Sequence, residues 1–252
     1  MFYLIGIGLK PKQLTLEALD ILKTADQVFL EGYTSEYSEG LLKELDELIG
    51  KKFKLLGRQG IEEGFDSALS SAKKNNIALM IFGNALTATT HIQLLLDAKE
   101  KGIKYKIIPG ISITNTIAET GLDEYKFGRI VTICYHSENF EPESFYGQMQ
   151  ENLKIGLHTL CLLDIKKDEK PRRLMNCIEG IEILEKISKK RNDNITKLDF
   201  VGLLGMGSEE QQIIIGKEDL EKSAFVKNIF PQALIVVGKT NEKENEALKK
   251  LN

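Results

Sequence analysis

Apolar runs of four to eight residues alternate with helical-period stretches through the first 110 residues. The runs 2–9 (FYLIGIGL), 27–31 (QVFLE), 53–56 (FKLL), 77–82 (IALMIF) and 104–108 (KYKII) read as strands. Between them, helices are predicted from residue 16, over 36–49 up to Gly50, over about 60–75, and over about 90–101 up to Gly102. Thr15 is placed to cap the first of these. The strands are apolar without alternation, which predicts a parallel sheet covered by helices on both faces. After Pro109-Gly110 the rhythm changes. A helix near 112–120 is followed by strands at 129–136, 156–165, 198–205, 211–215 and 233–238. Helices near 143–152, 171–190, 217–224 and 241–250 lie between or after them. The short gap between 198–205 and 211–215 predicts a hairpin, hence a mixed sheet. The expected fold is α/β in two domains, 1–110 and 111–252. The run 189–194 (KKRNDN) reads as a solvated loop.

A chain of 252 residues with 42% hydrophobic and 28% charged residues is long enough to bury two cores without disulfides or metals. Its net charge of −3, with both signs mixed along the chain, gives no basic face for nucleic acid. Cys134, Cys161 and Cys177 are unevenly spaced, and two of them sit in apolar runs. That is the reduced, cytosolic pattern rather than a disulfide framework. With the three histidines equally scattered, no metal set is expected. The sequence starts on a strand, with no basic leader and no apolar stretch near 18 residues, so a cytoplasmic protein off the membrane is expected.

Candidate chemistry gathers at strand ends. Gly6-Ile7-Gly8-Leu9 lets backbone approach a ligand, but Pro11 stands where a dinucleotide fingerprint needs its third glycine. Gly83-Asn84 follows the fourth strand and Pro109-Gly110-Ile111-Ser112 the fifth. In an open parallel sheet these carboxyl ends share one rim, where ligands bind. Residues 82–91 (FGNALTATTH) set threonines and a histidine at that rim. One threonine is expected to cap a helix starting near Thr89 or Thr90, and His91 to make a structural hydrogen bond. No P-loop, Ser-His-acid set or pair of catalytic carboxylates stands out, so no catalytic residue is singled out.

The strings YLIGIGL, FLEGYTS (29–35), LTATTH (86–91), YKFG (125–128) and GLHTLCLLDIK (156–166) together resemble the diphthine synthases, in order, along nearly the whole chain. These belong to the tetrapyrrole methylase superfamily. The resemblance implies a two-domain α/β homodimer with S-adenosylmethionine folded between the domains. It implies methyl transfer to a modified histidine of translation elongation factor 2, at the amino group of a 3-carboxy-3-aminopropyl arm or also at its carboxylate. Carried over by position, the cofactor contacts are Leu9, Asn84, Thr87, Ser112, Ile113, Leu163, Met206 and Gln232. Asn84-Ala85 stands where the family reads Asp-Pro, which removes a negative charge beside the sulfonium. Pro109-Gly110 looks more like the superfamily at large. Two other readings stay open: a related methylase acting on a porphyrinoid or RNA, and a non-catalytic S-adenosylmethionine-binding module.

Overall fold

The computed structural model describes residues 1–138, 140–193 and 198–250. The chain divides into two compact units: 1–113 with 166–172, and 114–165 with 173–252. The expected division after 110 keeps 166–172 with the C-terminal domain; in the structure that short segment groups with the first unit.

The first unit contains β1 (Phe2–Gly6), α1 (Leu16–Thr24), β2 (Gln27–Glu31), α2 (Leu42–Ile49), β3 (Lys54–Leu56), α3 (Arg58–Glu62), α4 (Asp66–Ser71), β4 (Ile77–Ile81), α5 (Ile92–Glu100) and β5 (Tyr105–Ile108). Its sheet runs β3-β2-β4-β1-β5 with every pair parallel. The unbroken apolar run of β4 follows from its position at the centre. Ile77, Leu79 and Ile81 pack into one core with α3 to α5, while Ala78, Met80 and Phe82 pack into another with α1 and α2. Thr15 caps α1 as expected, its hydroxyl accepting from Ala18 N at 3.1 Å.

Two expected helices differ. The stretch 60–75 is two short helices interrupted at Gly64, where backbone freedom makes continuation costly. The stretch 36–49 is helical only from Leu42. Residues before it form a loop anchored by Ser38 N donating to Leu9 O at 2.8 Å. The segment 166–172 is fastened to this loop. Lys167 Nζ donates to Ser35 O at 2.9 Å, and Arg172 pairs with Glu36. Asp168 lies 3.7 Å from Arg58.

The second unit takes in α6 (Ile113–Thr116), which begins on the last residue of the first, β6 (Val131–Ile133), α7 (Ser144–Lys154) and β7 (Thr159–Leu163). The two-residue strands β8 (Ile165–Lys166) and β9 (Arg173–Leu174) flank 167–172. Then come α8 (Cys177–Arg191), β10 (Phe200–Leu204), β11 (Gln212–Ile215), α9 (Lys217–Lys222), β12 (Gln232–Val236) and α10 (Glu242–Lys250). The sheet order is β11-β10-β12-β7-β6, with β6 and β7 parallel and the other pairs antiparallel. This is the mixed sheet and the hairpin that the spacing predicts. Lys189, Lys190 and Arg191 are the last turn of α8 rather than loop, and Asn194 lies outside the described residues. Lys190 and Arg191 pair with Glu143 at 2.7 and 2.8 Å. Cys161 and Cys177 are buried, whereas Cys134 is only half-buried at the end of β6.

One glycine has no packing reason to be there. A Cβ on Gly147 in α7 meets nothing within 4 Å. Gly147→Ala is expected to raise stability by about 0.5–1 kcal/mol, through lower unfolded-state entropy. Urea unfolding of the variant beside the parent checks this.

Candidate functional site

Because all five strands of the first unit are parallel, the turns that follow them share one edge. Three of those turns touch backbone to backbone. Gly8 N donates to Gly83 O at 3.2 Å and Gly83 N to Gly8 O at 2.9 Å. A Cβ on Gly6 would lie 2.6 Å from Gly83 O and 2.7 Å from Gly110 N. One on Gly110 would lie 2.6 Å from Gly6 C and closer still to Gly83 O. No side chain fits at either place, because the backbone of the neighbouring turns already fills it, and the strand ends form a close-packed backbone cradle. Gly83 holds φ +69°, which carries the chain sharply out of β4.

Asn84 fastens this cradle. Its Oδ1 accepts from Leu86 N at 3.0 Å, an Asx turn, and its Nδ2 donates to Gly110 O at 3.4 Å. An aspartate could make the first bond and not the second, which gives the amide a structural use. Thr87 N donates to Asn84 O at 3.2 Å, and the Thr87 side chain is half-buried. Ser112 is buried on the turn after β5, and Ile113 opens α6. Leu9 spends both backbone groups, its N on Gln13 Oε1 at 2.8 Å and its O on Ser38, which leaves its side chain for a ligand. Leu9, Asn84, Thr87 and Ser112 thus stand on the turns of one sheet edge.

Leu163 ends β7, Gln232 opens β12 opposite Leu204, and Met206 follows β10. Strand directions put these three at one edge of that sheet. The Gln232 side chain is engaged within the protein. Its Oε1 accepts from Cys177 N at 2.9 Å, and its Nε2 donates to Val226 O and Ile229 O at 2.7 and 2.8 Å. Its buried amide is occupied, so only its main chain is left to meet a ligand.

The threonine-histidine cluster is arranged differently from the expectation. Helix α5 starts at Ile92, and no threonine side chain caps it. Instead Thr89 Oγ1 donates to Ala85 O at 3.2 Å and accepts from His91 N at 3.4 Å. Ala88 is held at φ +54°, in the left-handed region. His91 is 2% exposed, and although neither ring nitrogen has a partner of ordinary hydrogen-bond geometry, the Ala85 backbone is a hydrogen-bonding neighbour of the ring. Its Nε2 lies 3.9 Å from Oε2 of Glu31, which is itself fully buried. Burial pushes the imidazole below its ordinary value, while the Glu31 charge and the Ala85 carbonyl act the other way. Glu31 meanwhile accepts from Tyr33 N at 2.6 Å, Thr34 N at 2.8 Å and the Thr34 hydroxyl, fixing the YTS loop.

Tyr37 and Lys167 both meet Phe82, the first residue of the 82–91 stretch. The Tyr37 ring packs edge-on to Phe82 at 4.9 Å, and its buried hydroxyl has no partner. The Lys167 ammonium lies 5.3 Å from the Phe82 ring, and burial pulls its pKa down. Neither carries a sequence signal, since each matters through a neighbour distant in the chain. In the second unit, by contrast, two quoted strings meet. Phe127 of YKFG bridges to His158 of HTLCLLDIK, with Gly128 N donating to His158 O at 2.9 Å and His158 N to Lys126 O at 2.8 Å.

Among the described residues, no group of three His, Cys, Asp or Glu side chains could hold a metal ion. No described helix is long and apolar enough to cross a membrane.

The family model of tetrapyrrole (corrin/porphyrin) methylases matches residues 1–220. A diphthine synthase of Methanocaldococcus jannaschii is 35% identical over 255 residues, covering 100% of this chain and 98% of that protein. A diphthine methyl ester synthase of Schizosaccharomyces pombe is 36% identical over 232 residues, covering 86% and 82%. The crystal structure of an Entamoeba histolytica protein assigned as a diphthine synthase superposes with a TM-score of 0.87 at 33% identity, covering 100% and 98%. The chain belongs to the tetrapyrrole (corrin/porphyrin) methylase family, in its diphthine synthase branch.

Proposed function

We propose that this protein holds S-adenosylmethionine against the glycine cradle and transfers its methyl group to the 3-carboxy-3-aminopropyl-histidine of translation elongation factor 2. That it is a methyltransferase of diphthamide biosynthesis follows from its family. The observation that carries the reading of the site is the contact of the Gly6, Gly83 and Gly110 backbones, which gathers the turns after β1, β4 and β5 at one sheet edge with no side chain between them. In an open parallel sheet that edge is where a nucleoside binds. The proposed contacts are Leu9, Asn84, Thr87, Ser112 and Ile113, with Leu163, Met206 and the main chain of Gln232.

When bound, S-adenosylmethionine supplies an electrophilic methyl on a sulfonium that leaves as a neutral thioether. The protein's task is then alignment, which can lower a barrier by about 7–11 kcal/mol. The acceptor amine must be neutral to attack, and no strong acid or base is required of the cradle. Asn84 sets the turn beside the nucleoside, Ser112 stands on the neighbouring turn, and Thr87 offers a half-buried hydroxyl. We place the protein in the cytosol as a homodimer, in line with its kinship, which gel filtration with light scattering tests.

The deciding experiment is mass spectrometry of elongation factor 2, taken from a strain blocked at this step and incubated with the protein and S-adenosylmethionine. A mass gain of one or more methyl groups on the modified histidine is expected. Binding of S-adenosylhomocysteine without any gain would leave a binding module instead.

Asn84 gives a sharper test. Asn84→Asp would put a negative charge on the turn proposed to face the cationic sulfonium, about 1 kcal/mol in a wet site. It loses a long bond to Gly110 O, about 0.5 kcal/mol. Affinity for S-adenosylmethionine is expected to rise two- to fivefold by calorimetry, with the gain shrinking in high salt. Unchanged or weaker binding would mean that the Gly110 link outweighs the charge.

A further inference from the structure

The wall that runs from Gly83 to His91 rests in an unsatisfied state. The buried His91 imidazole has only the Ala85 backbone and, at 3.9 Å, Glu31 to compensate it, and neither makes a hydrogen bond of ordinary geometry, so part of its desolvation cost is left standing. Ala88, three residues before it, sits in a strained conformation for a residue with a side chain. Both anomalies lie on one loop, between the Asn84 turn and α5. Across the gap, Glu31 has a carboxylate oxygen 3.9 Å from His91 Nε2, about 1 Å beyond a charge-assisted hydrogen bond. The same carboxylate already holds the YTS loop through Tyr33 and Thr34. A shift of the wall by roughly one ångström would therefore join the Asn84–Thr87 turn to the YTS loop through one buried ion pair.

We infer that Glu31 and His91 are positioning residues for the methyl donor. Their separation is the open state of a bond that closes when the nucleoside draws the 84–91 wall inward, and closure charges the imidazole. This rests on the reading of Asn84–Thr87 as a cofactor wall. Neither residue touches the nucleoside; they act through the loop that does.

The protonation step follows from what faces the ring. Glu31 on β2 and the Ala85 carbonyl both favour the charged form, and burial opposes them. In the open state burial prevails and the ring is neutral. From α3, α4 and α5, Glu62, Glu63, Asp66 and Asp97 line a pocket of about 290 Å³ that His91 also lines. Arg58 pairs with Glu62 at 3.3 Å and Lys101 with Asp66 at 2.9 Å, and Lys167 acts on Glu31, so the negative potential these carboxylates lend is partly offset and Glu31 remains the charge nearest the ring. Once Nε2 is bonded to Glu31, the charged form is favoured, so the His91 pKa rises on binding. Binding then takes up a proton from the buffer, and affinity increases as pH falls between the raised bound value and the lowered free value.

The test is calorimetry of S-adenosylhomocysteine binding to the whole chain in buffers of different ionisation enthalpy. The parent is expected to take up a substantial fraction of one proton per site at neutral pH. His91→Gln keeps a donor able to reach Glu31 and cannot be charged, so its proton uptake should vanish. His91→Ala removes the link and should bind at least tenfold more weakly, with its fold checked by circular dichroism. Binding to the parent with no proton uptake, or uptake that persists in His91→Gln, overturns the inference and leaves the cofactor reading intact. No binding to the parent would remove the cofactor reading itself, and this inference with it.

Discussion

Gly110→Val is expected to remove detectable S-adenosylmethionine binding and to lower methyl transfer by on the order of 100-fold, because ångström-scale misplacement of the donor is enough for that. The reason is backbone contact. A Cβ at Gly110 would lie 2.6 Å from Gly6 C and 2.7 Å from Gly6 O, and Gly83 O is nearer still. None of these is the flexible end of a side chain, so the turns after β1 and β4 must separate. That overpacking is expected to cost roughly 1–3 kcal/mol of stability. Loss of binding exceeding loss of stability marks the cradle as a site rather than a mere packing contact. Calorimetry at a temperature where the variant remains folded separates the two. Full affinity in a folded Gly110→Val variant would show that the nucleoside does not lie on this backbone.

Glu244→Ala is the largest expected stability effect, about 3–5 kcal/mol, because it leaves buried partners uncompensated. The side chain is 2% exposed and accepts four donors. Asp123 N and His158 Nε2 reach Oε1 at 3.0 and 2.9 Å, and Asn241 N reaches Oε2 at 2.7 Å, where Lys126 also pairs. Gly238 N donates to His158 Nδ1 at 2.9 Å, so the imidazole is neutral at that nitrogen and donates from the other. One carboxylate thereby joins the start of β7, the YKFG turn and the start of α10.

Burial alone would raise the Glu244 pKa. The Lys126 and His158 bonds, with two backbone donors, overcome this and hold it at about 2, below the ordinary 4.5. A depressed carboxyl contributes stability that is present above 4.5 and lost as pH falls through that window toward 2. The amount is roughly 3 kcal/mol. Urea unfolding of the parent from pH 6 to 2 should show this loss, and Glu244→Gln should flatten it. Equal slopes for the two proteins would contradict the network.

How much of this was legible differs from element to element. The non-alternating run of β4 announced a strand buried on both faces, because two helical layers had to cover it. The short gap before β11 announced the hairpin. Glycine at the ends of β1, β4 and β5 announced a rim, since parallel strands must end on one side. The split of 60–75 and the late start of α2 were not readable, because helical period persists where a glycine or a tertiary anchor such as Ser38 N to Leu9 O ends the helix. The motif strings pointed to the family without saying why they are there. In the structure much of their content is mutual: YTS is held by Glu31 beside the histidine of ATTH, and YKFG pairs with the start of HTLCLLDIK.

By itself the sequence determined the α/β class, the two kinds of sheet, the family and the shared edge at which the glycine turns end. All of these follow from periodicity, turn chemistry and short strings, which are local properties. Only the tertiary structure decided that Gly6, Gly83 and Gly110 touch, that Gln232's amide is occupied, and that His91 faces Glu31 across an open gap. It also decided that Glu244 answers His158 from 86 residues away. Such facts depend on which distant residues the fold brings within a few ångströms, and spacing along the chain carries no record of that distance.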